Sequence, residues 1–230
     1  MGGATVVAID GPAGSGKSTL GRELARRLGY LYFDSGALYR AVTLLALRRG
    51  IDLDDEQALA ALAERAAVDV LPPTVDDGRL YTVMAGGEDV TWAIREPRVD
   101  AAVSTVSAYP AVRAALLPTQ RQVVARGRVV IVGRDIGTVV APDAAVKVFL
   151  DASPEVRAER RRRELLARGY SPSAAEVDAE MRRRDALDSQ RHAAPLRAAA
   201  DAVVIRTDNL SIAAEVQAVE RLVRKAKRDC

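Results

Sequence analysis

The segment GPAGSGKST, residues 11–19, constrains the fold more than any other part of the sequence. It matches the pattern G-x-x-x-x-G-K-[ST] and has the context that this pattern requires, after the apolar run TVVAI and at the start of a helix-like segment. Glycines let such a loop turn its backbone N–H groups toward phosphate oxygens, and the helix N-terminus adds the positive end of a dipole. A glycine-rich turn without a ligand is the alternative, but the complete pattern favours a phosphate-binding loop.

We predict that this loop binds ATP. Lys17 is expected to reach the β and γ phosphates as a catalytic group, and the Ser18 hydroxyl is expected to bind Mg²⁺. The predicted ATP-binding residues are Gly11, Pro12, Ala13, Gly14, Ser15, Gly16, Lys17, Ser18 and Thr19. GTPases, motors, repair ATPases and kinases all use loops of this kind, so the loop alone does not define the reaction.

Short apolar strands alternate with helices along most of the chain. The predicted strands are residues 5–9, 30–33, 128–132, 145–151 and 202–207. This alternation predicts an α/β fold with three layers, in which helices cover both faces of a five-stranded parallel sheet. Residues 52–100 interrupt the pattern with a small helix and a segment that alternates and turns like an antiparallel hairpin, which indicates an insertion.

Composition limits the remaining possibilities. The 230 residues are 49% hydrophobic with a net charge of +3, as is typical of one soluble domain or of a core with insertions. No apolar run approaches the ~18 residues that span a bilayer, and the first residues lack signal-peptide features, so we expect a cytoplasmic protein without membrane contact. Cys230 is the only cysteine and His192 the only histidine, which excludes disulfides and zinc sites within one chain.

Two charged motifs follow predicted strands. FDSGALYR, residues 33–40, ends one strand, and GRDIG, residues 133–137, ends another. The carboxyl ends of parallel strands meet at one edge of the sheet, where open α/β folds bind ligands. We therefore expect Arg40 and Arg134 to lie near the phosphate-binding loop, where two arginines suit a second phosphate. Helix capping by Asp34 or Ser35, and an ion pair between Arg134 and Asp135, are the structural alternatives.

Two further motifs are rich in arginine. In MRRRDALDSQRH the side chains of Arg184, Asp188 and Arg191 have helical spacing and are expected on one helix face, with a solvated charged face as the alternative. The second arginine-rich segment, residues 157–168, is interpreted as a mobile lid over the transferring phosphates. A solvated helix and a nucleic-acid-binding patch are the alternatives. The arginines of this segment are Arg157, Arg160, Arg161, Arg162, Arg163 and Arg168.

Together these segments resemble the bacterial cytidylate kinases of the nucleoside monophosphate kinase family, which have the P-loop NTPase fold. The resemblance covers nearly the whole chain and rests on AIDGPAGSGKST, DSGALYR, GGEDVT with Ile94-Arg95, GRDIGTVV, PDAAVKVFLDAS and RRRDALDS followed by APL. It implies transfer of the γ-phosphoryl group of ATP to CMP or dCMP with Mg²⁺, in pyrimidine nucleotide metabolism. It implies no nucleic-acid partner, and we expect a monomer.

The resemblance also implies an organisation and a set of site residues. Residues 1–36, 101–153 and 174–230 are expected to form the core, residues 37–100 the monophosphate-binding region with a small antiparallel sheet, and residues 154–173 a lid. Catalytic lid arginines over the ATP phosphates are expected at Arg157, Arg160 and Arg161. The residues expected to bind CMP are Ser35, Arg40, Ser104, Arg113, Arg134, Asp135, Arg184, Asp188 and Arg191.

One position departs from the family pattern. Members often have Asp or Glu before the glycine of GRD, whereas this chain has Val132. An aliphatic side chain cannot accept a hydrogen bond from Mg²⁺-bound water, so Asp34 is a possible replacement, or water suffices.

Other functions remain open on the sequence alone. A kinase for UMP or shikimate is the nearest alternative, and an arginine-rich nucleic-acid-binding ATPase is a different class. A regulatory GTPase lacks a visible N-K-x-D-like guanine signal. The scarcity of aromatic residues for base stacking disfavours the nucleic-acid interpretation.

Overall fold

The computed structural model describes residues 5–167 and 169–228. In this part of the chain eight strands form two sheets, one five-stranded and parallel in the order β2-β6-β1-β7-β8, the other three-stranded and antiparallel in the order β3-β4-β5. The strands are β1 (Val6–Asp10), β2 (Leu31–Asp34), β3 (Asp69–Leu71), β4 (Thr82–Ala85), β5 (Glu88–Asp89), β6 (Val129–Gly133), β7 (Val146–Asp151) and β8 (Val203–Arg206).

Helices connect these strands. The described helices are α1 (Lys17–Leu28), α2 (Gly36–Arg49), α3 (Glu56–Arg65), α4 (Pro97–Ala108), α5 (Pro110–Ala125), α6 (Pro154–Ala167), α7 (Ala174–Gln190) and α8 (Ile212–Ala226). A short 3₁₀ turn covers Ala93–Arg95 and a π-helical turn covers Ile136–Val140. None of the described helices is long and apolar enough to cross a membrane.

The central strand shows that both faces of the large sheet are covered. Val7, Ala8 and Ile9 of β1 are all fully buried, although consecutive residues of a strand point to opposite faces. The strands are parallel in register, with Asp10 opposite Gly133 and β2 ending opposite Val132. The carboxyl ends of β1, β2 and β6 therefore meet at one edge, as predicted. The α/β prediction is confirmed.

Some boundaries differ from those expected. The predicted antiparallel hairpin is present as β4 and β5, and Asp69–Leu71 adds a third strand that pairs with β4 on the side away from β5. The helix expected over residues 173–192 ends at Gln190, and Arg191 has extended backbone angles. Arg191 is therefore not on the helix face predicted for it. Arg168 and Cys230 lie outside the described residues, as do the first four residues.

Candidate active site

The phosphate-binding loop (residues 11–19) connects the end of β1 to the first turn of α1. Gly16 has a φ of 98° and precedes Lys17, the first residue of the helix. Lys17 is buried, and its Nζ donates to the carbonyl oxygen of Pro12 at 2.6 Å and to Ser15 Oγ at 3.4 Å. Burial, together with the positive charge of Arg134, holds the pKa of Lys17 well below its ordinary value. Phosphate oxygens at this place would favour the charged ammonium.

Helix α6 packs against the back of this loop. A Cβ atom on Gly14, whose φ is 73°, would lie 2.8 Å from the carbonyl oxygen of Arg157, so the contact requires glycine. The Arg157 guanidinium donates to both carboxylate oxygens of Asp185, at 3.0 and 2.7 Å, and to the carbonyl oxygens of Ala152 and Ala13. One buried arginine thus joins α6, α7 and the loop.

Arg160 and Arg161 have different surroundings. Arg160 donates to Thr207 Oγ1 at 2.9 Å and to its carbonyl oxygen at 2.7 Å, and that hydroxyl donates to the Ser15 carbonyl oxygen. Arg160 therefore connects α6 to the loop through the turn after β8. Arg161 forms an ion pair with Glu164 at 3.1 Å and lies near enough to Arg184 to lower its pKa.

An arginine cluster (Arg40, Arg134 and Arg184) lies beside the loop at the same edge of the sheet. Burial lowers the pKa of Arg184, and the charges of Arg134 and Arg40 lower it further. Arg134 Nε donates to Asp188 Oδ2 at 2.7 Å, and Arg40 Nη2 lies 2.6 Å from Asp100 Oδ1. Arg184 has a longer contact, with its Nη1 3.9 Å from Glu180 Oε1. Three guanidinium groups this close together are suited to binding an anion.

Asp135 and Arg113 form a buried ion pair next to this cluster. Arg113 Nη2 lies 2.5 Å from Asp135 Oδ2, and Arg113 also stacks over the Tyr39 ring at 5.1 Å. Arg191 Nη2 lies 3.7 Å from the other carboxylate oxygen of Asp135. The alternative of an ion pair between the neighbours Arg134 and Asp135 is therefore wrong, because each pairs with a side chain distant in sequence.

Comparison with known proteins identifies the family of this chain. The family model described as cytidylate kinase matches residues 7–228. The chain belongs to the cytidylate kinase family. It is 54% identical over 217 residues to a cytidylate kinase from Herpetosiphon aurantiacus, covering 94% of this chain and 93% of that protein. It is 51% identical over 213 residues to one from Chloroflexus aggregans, covering 93% and 91%.

A solved structure supports the same fold at much lower sequence similarity. An uncharacterised protein from Eubacterium ventriosum superimposes with a TM-score of 0.52 at 11% identity, covering 97% of this chain and 99% of that one. That likeness concerns the fold alone. The cytidylate kinase family assignment rests on the sequence relatives and on the family model.

The residues expected from family resemblance are largely brought together. Ser35 is buried beside Gly133, where a Cβ would come within 2.6 Å of its hydroxyl oxygen. Asp34 Oδ1 accepts a hydrogen bond from the Gly36 N–H at 2.9 Å, so the capping alternative describes Asp34, whereas Ser35 makes no side-chain cap bond. Ser104 lies on α4, and its carbonyl oxygen accepts from the Ser107 hydroxyl.

Several neighbours of the predicted site residues were not anticipated from the sequence. The charge of Asp10 acts on Lys17, and Asp100, Asp185, Thr207 and Glu215 contact or face other predicted site residues. Only Asp10 could have been identified from the sequence as a candidate site residue. It is an ionisable residue at the carboxyl end of a buried strand, directly before the phosphate-binding loop. The others come from distant segments whose proximity depends on the fold.

Few carboxylates are available for a metal ion. Among the residues that the structure describes, no group of three or more His, Cys, Asp or Glu side chains is arranged to hold one. Val132 is buried and packs on Gly21, where a Cβ would lie 2.7 Å from its Cγ1, so it belongs to the core. Ser18 is exposed at the loop and Asp34 is half-buried near Lys17. This donor set fits Mg²⁺ held mainly by nucleotide phosphates and water.

Glu215 lies in the first turn of α8, behind the loop. It is 1% exposed, and its Oε2 has no hydrogen-bond partner within the part of the chain that the structure describes. That atom lies 3.8 Å from the position of a Cβ on Gly16. Burial raises the pKa of Glu215 to about 7, although the charge of Arg160 opposes the shift. The ionised carboxylate is therefore disfavoured in the folded state.

We expect Glu215→Gln to stabilise the protein at pH 8 but not at pH 4.5. The folded-state pKa exceeds the ordinary value, so wild type loses stability as the pH rises from about 4.5 to about 7, whereas glutamine does not ionise. The expected gain at pH 8 is about 1–3 kcal/mol, or several degrees in Tm. Thermal unfolding at both pH values measures it, with Glu220→Gln on the same helix as the control. An equal change in Tm at pH 8 and at pH 4.5 would contradict a raised pKa of Glu215 as the cause.

Proposed function

We propose that the chain transfers the γ-phosphoryl group of ATP to CMP or dCMP and releases ADP with CDP or dCDP. The observation that carries this proposal is the adjacency of two anion sites at one sheet edge. The buried Lys17 lies in the phosphate-binding loop, and Arg134 of the arginine cluster is close enough to shift the pKa of Lys17. One site suits the phosphates of ATP and the other suits the phosphate of an acceptor nucleotide.

The acceptor oxygen needs no general base in this reaction. A nucleoside monophosphate already presents a phosphate oxyanion, so catalysis consists of alignment and neutralisation of charge. Lys17 binds the β and γ phosphates, while Arg40 and Arg134 hold the acceptor phosphate in line. Arg184 and Asp188 contact the pentose region.

Mg²⁺ neutralises charge on the β and γ phosphates when it is bound with ATP. We propose that the Ser18 hydroxyl holds it, with Asp34 as a second candidate through water. Val132 contributes nothing to the metal because its side chain has no donor atom.

Recognition of cytosine is proposed to involve Asp135. Its Oδ2 is engaged by Arg113, whereas Oδ1 is 3.7 Å from the nearest guanidinium nitrogen of Arg191, beyond hydrogen-bond distance. That oxygen is able to accept from the N4 amine of cytosine, while Ser35, Arg113 and Arg191 supply donors for N3 and O2. Uracil has an acceptor at the N4 position and would repel the carboxylate, at a cost of about 1–3 kcal/mol.

The organisation of the chain is part of the same proposal. Residues 37–100 form the monophosphate-binding region and residues 154–173 the lid, with Arg157, Arg160 and Arg161 acting near the ATP phosphates. The protein is proposed to work as a monomer in the cytoplasm.

The direct test measures ADP formation from Mg-ATP with CMP, dCMP, UMP, AMP, GMP and shikimate as acceptors. We expect strong activity with CMP and dCMP and much lower activity with UMP. Activity centred on shikimate or another acceptor would overturn the assignment of the acceptor. Absence of acceptor-dependent activity, together with salt-dependent retardation of RNA or DNA in a gel, would favour a nucleic-acid-binding ATPase.

We expect Asp135→Asn to reduce the ratio of kcat/KM for CMP to that for UMP by about tenfold. The amide can donate to O4 of uracil, so the repulsion against uracil is removed. Steady-state kinetics with both acceptors measures the ratio. Asp178→Asn, at a partly exposed position of α7, serves as the control. An unchanged ratio in the folded variant would remove Asp135 from base recognition.

A further inference from the structure

Asp10 is the last residue of β1 and directly precedes the phosphate-binding loop. It is only 3% exposed. Its Oδ1 accepts a hydrogen bond from the Ile136 N–H at 2.8 Å, and its Oδ2 accepts one from the Gly137 N–H at 2.7 Å. Both carboxylate oxygens thus hold backbone amides of the segment that follows Arg134 and Asp135.

We propose that Asp10 is a positioning residue that fixes the Arg134–Asp135 dipeptide relative to the phosphate-binding loop. The inference rests on the proposed function, because it assigns those two residues to the acceptor nucleotide. Asp10 itself contacts neither substrate. It acts by fixing the backbone from which the phosphate-binding and base-reading side chains extend.

The local backbone explains why two acceptors are needed there. Asp135 has φ −145° and ψ 26°, outside helical geometry, and the π-helical turn begins at the next residue. The first amides of a helical turn have no acceptor within the turn, and a buried amide must find one elsewhere. Asp10 supplies both acceptors from a neighbouring strand, so the turn is tied to the central strand of the sheet.

The two hydrogen bonds that Asp10 accepts from Ile136 and Gly137 form the Asp10 clamp. While this clamp is intact, the surrounding groups leave little room for the Arg134–Asp135 dipeptide to move. A Cβ on Gly133 would lie 2.6 Å from Ile136 Cδ1 and 2.6 Å from Ser35 Oγ, so the chain passes between these groups at close range. The carbonyl oxygen of Asp135 accepts hydrogen bonds from the N–H groups of Val139 and Val140. Loss of the Asp10 bonds would free the start of this turn and, with it, the dipeptide.

Asp10 also faces the donor side of the reaction. Its charge is one of those that oppose the lowering of the Lys17 pKa by burial and by Arg134. One carboxylate thus borders both the lysine proposed for ATP and the dipeptide proposed for the acceptor. Burial raises the pKa of Asp10 to about 6, and the charge of Asp135 raises it as well, whereas the two amide bonds and Lys17 act in the opposite direction.

One further cation approaches the clamp from β7. The Lys147 Cδ and Asp10 Oδ2 both lie 3.4 Å from the position of a Cβ on Gly137, but Lys147 Nζ is paired with Asp201 at 2.7 Å. Protonation of Asp10 would turn one accepting oxygen into a hydroxyl that faces an N–H group. As the pH falls through about 6, the hydrogen bonds of Asp10 are therefore expected to weaken, and the Arg134–Asp135 dipeptide is expected to be held less firmly.

The test compares wild type with Asp10→Asn, in which the amide keeps one acceptor and places an NH₂ group against the second N–H. At pH 7.5 we expect the KM for CMP to rise about tenfold, with less than a threefold change in the KM for ATP. The ratio of wild-type to variant kcat/KM for CMP should fall toward one between pH 7.5 and pH 5. Titration of the substrate phosphates affects both proteins and cancels in this ratio.

Two results would overturn the proposal. One is a ratio that stays constant with pH, and the other is a lower Tm for Asp10→Asn with an unchanged KM for CMP. Asp178→Asn makes the same chemical change at a partly exposed carboxylate of α7 that pairs with Arg182, and it is expected to leave the KM for CMP within twofold.

A measurement on wild type alone does not depend on folding of the variant or on the proposed activity. The amide resonances of Ile136 and Gly137 are expected to titrate together in an NMR pH series, with a midpoint near 6. Absence of this titration would contradict the clamp even in an active enzyme. Its presence in a protein that phosphorylates no nucleotide would retain the clamp and reject the proposed function.

Discussion

Replacing Lys17 by alanine is expected to lower kcat by about 10³-fold while the KM for CMP changes less than threefold. Lys17 is buried in the phosphate-binding loop, where its Nζ donates to the Pro12 carbonyl oxygen, and it is the lysine that we propose for the β and γ phosphates. Its effect is greatest when charge develops on the transferring group, so its loss mainly affects turnover. Steady-state kinetics with Mg-ATP and CMP measures both constants.

The control for this experiment is Lys225→Ala, at an exposed position of α8. Because alanine at residue 17 also leaves a cavity, Lys17→Met provides a second variant that retains the volume and removes the charge. Similar losses in both variants would assign the effect to the charge. A kcat within threefold of wild type in a folded variant would rule out the proposed role of Lys17.

Replacing Arg134 by alanine is expected to raise the KM for CMP about 100-fold, with a much smaller change in the KM for ATP. A planar guanidinium binds a phosphate through two charge-assisted hydrogen bonds, and their loss in a half-buried site is worth about 3 kcal/mol. The Nε of Arg134 donates a hydrogen bond to Asp188 at 2.7 Å. This bond holds the guanidinium group in place before the acceptor nucleotide binds.

Arg182→Ala is the matched control, because Arg182 is an exposed arginine of α7 that pairs only with Asp178 among the described residues. Arg134→Lys keeps the charge without the planar fork and is expected to recover only part of the affinity for CMP. If Arg134→Ala raised the KM for ATP rather than that for CMP, the assignment of the two anion sites would have to be exchanged.

The sequence predicted the position of the site better than its internal contacts. The strand–loop–helix context of residues 11–19 and the rule that parallel strands end at one edge were sufficient to bring Lys17, Arg40 and Arg134 together. These inferences depend on backbone geometry, which local patterns of apolar, glycine and turn residues largely determine.

The pairing of charged side chains was not predictable in the same way. Arg113 pairs with Asp135 over 22 residues, Arg134 with Asp188 over 54, and Arg157 with Asp185 over 28. In a chain with many arginines, spacing cannot tell which carboxylate each will meet, because that depends on how separate helices pack. The helix end before Arg191 was missed for a related reason, since charge periodicity continued past the point where the backbone changed direction.

The two-bonded ion pair between Arg157 and Asp185 limits how the proposed lid (residues 154–173) can move. It ties the first turn of α6 to α7, while the same guanidinium donates to a carbonyl oxygen of the phosphate-binding loop. A flap swinging about residues 151–154 would have to break all of these bonds at once. Closure that preserves these bonds leaves the first turn of α6 fixed on α7 and on the phosphate-binding loop, so movement of the proposed lid has to arise beyond Arg157, toward the far end of α6.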